Sequence, residues 1–500
     1  DEAAQQRMDI LCLPECFPGG LSFAEPIDGP TITALAQKAR QHRMYVIAPI
    51  IEERSISHSC GSLLVSRPVP TQSGSGDRCG TSIQPCEGSK PPQCPVKLFN
   101  SAVILGRDGR VVGQYDKTHL TQGEMDAGLT PGADQAVFQL DFGKIGLLIC
   151  YDIYFADPAN ALGRKGAEII FFPSVNYGFS EFDCDTQLQA KAIDFGCHVA
   201  ASNFAPSPTY LPGRCLVHTF IASPEGAIIA DASYREGLVS AEVDLDAPRL
   251  AVTHEKAQPR PWRAILAEQR RPDLYSLVAD LTVRSDWAQK PAEPRTIKLG
   301  AVCLPPNPQR DLAAGREAVC NAIAACAKLG ADLVCLPENC FAGGALDAQA
   351  TSVPVATGDG LAVVAGLCLA NRLWAVLPIY RQNSHTGRHE SVALLFDRQG
   401  RLAGQYVKTH LNEFERTRFD LAPGDALPVF QADFGKFGLL LGEDFLQPEA
   451  GRALFLQGAE VLCWAGSPMP FFPSARMLKL LTSSRAIDNF AHVVASNFET

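Results

Sequence analysis

A chain of 500 residues, 46% hydrophobic and 20% charged, has an ordinary globular composition and room for two domains, each with its own core. Its net charge of −10 excludes the basic footprint of a nucleic-acid or anionic-membrane binder. No apolar run reaches the roughly 18 residues that a membrane span needs.

In chain order, short β-branched runs bounded by Gly, Pro or Asp predict strands over 8–13, 44–51, 101–106, 110–115, 145–150, 168–172, 197–202, 217–222, 227–231 and 237–243. Helices are expected over 31–43, 156–165 and 183–195, and "GRDGRVV" (106–112) reads as a hairpin turn. This alternation predicts α/β layers. The stretch from about Ser55 to Leu98 is rich in Ser, Pro, Gly and Cys and reads as a surface excursion. Its Cys60, Cys79, Cys86 and Cys94 lack the close CxxC pairs of structural zinc, so a disordered insert or an occasional disulfide is the better reading there. Many of the seventeen cysteines lie in apolar runs such as "DILCLPE" and "AEVLCWAG", where a thiol behaves as a small hydrophobe. That usage points to a reducing, cytoplasmic setting.

The chain says nearly everything twice. "DILCLPECFPGG" (9–20) returns as "DLVCLPENCFAGG" (332–344), and "GRVVGQYDKTHL" (109–120) as "GRLAGQYVKTHL" (400–411). "DFGKIGLLIC" (141–150) returns as "DFGKFGLLLG" (433–442), and "CHVAASNF" (197–204) as "AHVVASNF" (491–498). The order is kept, so a whole domain is duplicated. The offset of 329 between Pro49 and Pro378 falls to 291 between Tyr115 and Tyr406, which puts 38 extra residues in the first copy. Only eight residues precede "DILCLPE", whereas a strand and a helix precede "DLVCLPE". Together with the second copy stopping at "SNFET", this gives the expectation that both copies are truncated and that targeting signals are not readable. The domains expected are 1–285 and 297–500, with a Pro- and charge-bearing link over 286–296.

Each distinctive block carries one reactive residue at a strand end: Glu15, Lys117 and Cys150. A cysteine needs a base or a positive charge to supply its thiolate; a carboxylate could take the proton, and a lysine could stabilise the oxyanion. Singly, each has a plainer reading: a packed core thiol, a solvated glutamate, a structural lysine. His119, which recurs as His410, could pair with the cysteine, although a hydrogen-bonded structural histidine is the better reading.

Together, "LPE", "YDKTHL" and "GLLICYD", in this order, resemble the nitrilase or carbon–nitrogen hydrolase superfamily, with Glu15, Lys117 and Cys150 at its Glu–Lys–Cys triad. "ALGRKGAEIIFFPS" (161–174), "LQAKAIDFGCHVAASN" (188–203) and "RRPDLY" (270–275) extend the resemblance. It implies α/β architecture with two tandem four-layer αββα sandwich domains that associate face to face, and neither cofactor nor metal. It also implies Glu15 as general base, Lys117 as stabiliser of the tetrahedral intermediate, Cys150 as thioester-forming nucleophile and the Tyr151 backbone N–H as oxyanion donor. A second glutamate of the family would be Glu124, unless that residue is merely a surface-loop glutamate.

The second copy keeps Glu338, Lys408 and Glu415 but has Gly442 in place of the nucleophile, and glycine forms no thioester. Cys340 and Cys463 lie in other blocks. The second copy is expected to be inert and to serve as an intrachain partner, making a pseudo-dimer that could assemble further. The leading reading is hydrolysis of a small amide or carbamoyl compound by the first copy, since "CYD" resembles amide-cutting branches more than nitrilases. Nitrile hydrolysis, acyl transfer to an amine, and a non-catalytic scaffold are the alternatives.

Overall fold

The structure, a computed structural model, describes residues 1–55, 96–175, 177–178, 184–205, 214–215, 218–246, 250–251, 258–279, 295–305, 307, 309, 311–343, 359–467 and 475–498. The Cys-containing insert, apart from 55 and 96–98, which belong to strands, and the link, apart from 295–296, lie outside the described residues. The chain divides into two compact units, 1–134 and 135–500, a cut that falls inside the first copy.

The 1–134 unit is built on one sheet. Strand β1 (Ile10–Cys12) runs parallel to β2 (Tyr45–Ser55), which pairs antiparallel with β3 (Val96–Leu105) and that in turn with β4 (Val111–Asp116). β2 tolerates Pro49 because β1 pairs only with Tyr45–Ile47, so the missing N–H faces no ladder partner. The β3–β4 turn forms where expected, closed by Gly106 and Gly109 backbone bonds. Helix α1 (Pro30–His42) has proline at its first position, and the buried Glu25 carboxylate accepts the Thr31 and Ile32 N–H groups at 3.1 Å. These are donors that a helix start leaves unpaired.

The 135–500 unit opens with a six-stranded sheet. Its strands are β5 (Val137–Gln139), β6 (Lys144–Leu147), β7 (Ile169–Ser174), β8 (His198–Asn203), β9 (Thr219–Ala222) and β10 (Ile228–Ser233), in that spatial order. β6, β7 and β8 are parallel, joined through α3 (Ala156–Arg164) and α4 (Cys184–Phe195). Two expectations are corrected. Residues 237–243 form no strand, and β6 ends at Leu147, so Cys150 opens a 3-10 turn, Cys150–Tyr154, rather than closing the strand.

The second copy forms a four-layer sandwich. One sheet orders β11 (Leu299–Ala301), β13 (Leu333–Cys335), β14 (Trp374–Gln382), β15 (His389–Phe396) and β16 (Leu402–Val407); the other orders β12 (Cys303–Leu304), β20 (His492–Phe498), β19 (Val461–Ala465), β18 (Gly435–Leu441) and β17 (Val429–Ala432). The period-2 pattern explains the layers. Leu333, Cys335 and Val376 meet Leu439 and Cys463 in the core between the sheets. The alternate residues Val334, Ala375 and Leu377 pack on Val319 of α5 (Leu312–Lys328) and Val364 of α6 (Asp359–Asn371). α7 (Pro448–Leu456) and α8 (Ala475–Asn489) cover the second sheet, Leu454 and Leu481 joining its core. No helix among the described residues is long and apolar enough to cross a membrane.

Candidate active site

Within the 1–134 unit, three of the residues singled out from sequence converge. Glu15 lies on the loop after β1, fixed between two backbone bonds onto β2: Leu13 N–H to Ile47 O and Phe17 N–H to Pro49 O, both 3.1 Å. Lys117 follows β4, its N–H donating to Asn100 O at 2.9 Å. Glu124 lies on the short helix Gln122–Asp126, where it forms a capping box with Thr121. The Lys117 ammonium, 1% exposed, donates to Glu15 Oε1 at 3.0 Å and to both Glu124 oxygens at 2.9 Å. Burial pushes the Glu124 carboxyl up, but the Lys117 charge, with the Asn100 and Thr121 donors, outweighs it and holds the group below the ordinary glutamate value.

Asn100 was not foreseen. Its side-chain amide donates to Glu15 Oε1 and Glu124 Oε1, each at 2.7 Å, so one amide and one ammonium are clasped between two carboxylates. The signal was present: a polar residue interrupts the apolar run "FNSAVIL", and its repeat mate Ser391 donates to Glu338 Oε1 at 2.6 Å.

Cys150 and Tyr151 belong to the 135–500 unit. Cys150 is buried with φ +44°, in the left-handed region where a side chain costs about 1–2 kcal/mol. Asp152 closes the turn by accepting the Ile149 N–H at 2.9 Å, leaving Cys150 and the Tyr151 backbone at its head. Strain held at a reactive residue by surrounding bonds is typical of catalytic turns.

The second copy holds its whole cluster in one unit. Lys408 lies 3.3 Å from Glu338 and 2.6 Å from Glu415, and it also pairs with Glu443, which stands where the first copy has Tyr151. Gly442 has φ +43°, matching Cys150, and a Cβ there would lie 2.5 Å from Lys408 Nζ and 2.6 Å from Glu338 Oε2. The backbone position that corresponds to Cys150 therefore faces the lysine–glutamate pair, with no thiol on it. Burial, and then the crowding carboxylates, raise Glu415 well above the ordinary glutamate value, and burial raises Glu338 as well. Three carboxyls around one ammonium cannot all ionise cheaply in a buried site.

Asp444 is the second organiser that sequence reading missed. It accepts from the Leu441, Thr409 and His410 N–H groups, from Tyr406 Oη at 2.6 Å and from Thr409 Oγ1, and it pairs with His410 Nδ1 at 2.8 Å. Tyr275 Oη meets the other ring nitrogen of His410. His410 is thus a bonded structural histidine, the reading preferred from sequence. The recurring Asp in "CYD" and "GED" was the available clue. The described residues contain no group of three or more His, Cys, Asp or Glu able to hold a metal ion.

The chain thus carries a buried Glu–Lys pair twice on α/β scaffolds, in the second copy beside a left-handed turn. The carbon–nitrogen hydrolase family model matches residues 1–251 and 298–498, and the chain belongs to that family. It is similar to omega-amidase NIT2 of Xenopus tropicalis, 29% identical over 293 residues that span 55% of this chain and 88% of the relative. Omega-amidase NIT2 of Homo sapiens is 25% identical over the same shares. Among solved structures, Nit3 of Saccharomyces cerevisiae, a branch 10 nitrilase-superfamily member, is 20% identical with a TM-score of 0.36, covering 49% of this chain and 79% of that one. A carbon–nitrogen hydrolase of Helicobacter pylori G27 is 22% identical with a TM-score of 0.36, covering 49% of this chain and 81% of that one.

Proposed function

We propose that the first copy hydrolyses the C–N bond of a small amide through a thioester on Cys150. Glu15 takes the thiol proton, the thiolate attacks the amide carbonyl, and Lys117 with the Tyr151 N–H stabilises the oxyanion. The protonated Glu15 passes its proton to the leaving ammonia. Water, activated by the same carboxylate, then cleaves the thioester. Glu124 and Asn100 hold Lys117 and Glu15 in register. The second copy is catalytically inert and serves as a built-in structural partner, and the chain works in a reducing, cytoplasmic setting.

The observation that carries this reading is the Gly442 geometry: the repeat mate of Cys150 has the same left-handed φ and directs its Cβ position at Lys408 and Glu338. The omega-amidase relatives favour ω-amides over nitriles as first substrates to try. The test is ammonia release from a panel of ω-amides, simple amides, carbamoyl compounds and nitriles, with mass spectrometry of the trapped enzyme. An acyl adduct on Cys150, absent in Cys150→Ala together with turnover, is the expected result. Turnover unaffected by Cys150→Ala would overturn the mechanism.

A further inference from the structure

The helices α4 and α8 are repeat mates, and they pack on each other within the 135–500 unit through reciprocal buried ion pairs. Lys191 of α4 pairs with Asp488 of α8, while Arg485 of α8 makes a bidentate pair with Asp194 of α4 at 2.7 and 3.0 Å. Lys191 is the mate of Arg485, and Asp194 of Asp488. This two-fold pattern is that of an isologous contact.

The symmetry breaks at the turn that carries the nucleophile. In the second copy Arg485 also donates from Nε to the carbonyl of Phe445, inside the turn Gly442–Leu446, at 3.2 Å. The corresponding carbonyl in the first copy is that of Ile153, inside the turn Cys150–Tyr154, and Gln187 Nε2 donates to it at 3.3 Å. The same Gln187 amide nitrogen donates to Asp488 Oδ1 at 3.3 Å, and Gln187 is fully buried. The second copy has Leu481 where the first has Gln187.

From this geometry we infer that Asp488, in the copy without a nucleophile, is a positioning residue for the active copy: through Gln187 it fixes the Cys150 turn. Asp488 touches no substrate in this scheme. It orients one amide N–H toward Ile153 O and, through Lys191 and Ser484, is itself held, the Ser484 bond being 3.1 Å. The two copies solve one problem with different residues, a long arginine on one side and a glutamine steered from across the contact on the other. The inference rests on the reading of Cys150 as nucleophile.

The test uses the full chain and three variants: Gln187→Leu, Asp488→Asn, and Gln187→Leu combined with Lys191→Arg. The last transplants the second copy's residues into the first. Two readouts are taken: kcat and KM with the best amide, and the rate at which iodoacetamide labels Cys150, followed by mass spectrometry. Gln187→Leu and Asp488→Asn are each expected to lower kcat, Gln187→Leu about tenfold, at nearly constant KM, and to slow labelling, since a slightly misplaced reacting group is costly. The added Lys191→Arg should return both values toward wild type, a rescue that a merely structural role does not predict. Unchanged kcat and labelling in a folded Gln187→Leu or Asp488→Asn protein, or failure of the arginine to rescue, overturns the inference. Labelling tests the turn without substrate, so turnover that survives Cys150→Ala would condemn the mechanism while leaving the positioning result to stand or fall separately.

Discussion

Gly442 and Cys150 occupy matching turns with the same left-handed φ, which costs a cysteine energy and is free for glycine, so the turn of the second copy is kept without a side chain and without that strain. Glu443 then brought a third carboxylate to Lys408. Restoring the cysteine alone is therefore expected to fail. In Gly442→Cys the side chain must take a left-handed φ of +43°, at a cost of about 1–2 kcal/mol, and its Cβ must displace the ends of the Lys408 and Glu338 side chains. A lowered urea midpoint and no acyl adduct on residue 442 are expected by mass spectrometry; an adduct there would show that the site was only dormant. Glu124 makes a second test at this scale. Its carboxyl is held below the ordinary glutamate value in the folded chain, so its ionised form contributes stability above the unfolded pKa of about 4.3. That contribution is lost as pH falls through the lower folded value. Wild type should exceed Glu124→Gln in urea stability at neutral pH, and the gap should close on acidification; a gap that widens toward acid would reverse the assignment of Lys117 as its partner.

At the scale of elements, the α4–α8 contact places four charged side chains where water is excluded, each 5% exposed or less. Buried ions persist only when paired. Arg485→Met leaves Asp194 paired, among the described residues, with Lys191 at 3.8 Å, and is expected to cost about 3–5 kcal/mol in urea unfolding. Arg485→Met with Asp194→Leu should recover much of that loss, because a matched apolar pair no longer strands a charge. Additive losses would mean that the two residues are not coupled. The elements themselves were largely legible, because β2, β3, β7 and β8 are β-branched runs punctuated by Gly, Pro or Asp, and α4 lies within a residue of its expected span. The strand expected over 237–243 failed because alternation alone carries no guarantee of a pairing partner. Cys150 was expected to end a strand, yet the Asp152 side chain takes the Ile149 N–H and turns the chain early. Glu15, Lys117 and Glu124 were readable because the repeat preserves them as Glu338, Lys408 and Glu415. Asn100 was not, since Ser391 replaces it and hides the shared role.

For the whole molecule, the duplication matters because the copies grip each other through residues that neither could satisfy alone. Glu449 of the second copy accepts from Arg164 and Arg270 of the first at 2.9 Å, and Arg452 of the second reaches Asp157 of the first at 3.1 Å. Asp157 is the mate of Glu449, so the same acidic position is used from both copies, although the arginines that meet it are not mates. Beyond it, the segment Arg270–Tyr275 extends from the first copy onto the second, where Arg271 donates to Thr409 O and Gly424 O and Tyr275 meets His410. Covalent linkage between copies gripping this firmly supplies effective concentration rather than contacts. Cutting the link should therefore change little. With a protease site inserted between residues 286 and 296 and cleaved after folding, the two pieces are expected to co-elute at the mass of the intact chain, 53.8 kDa, and to retain amide hydrolysis. Pieces that separate on the column while activity persists would mean that the second copy is dispensable to the first. Pieces that stay together but dissociate when Asp488→Asn and Arg485→Met are combined would assign the grip to the α4–α8 charges.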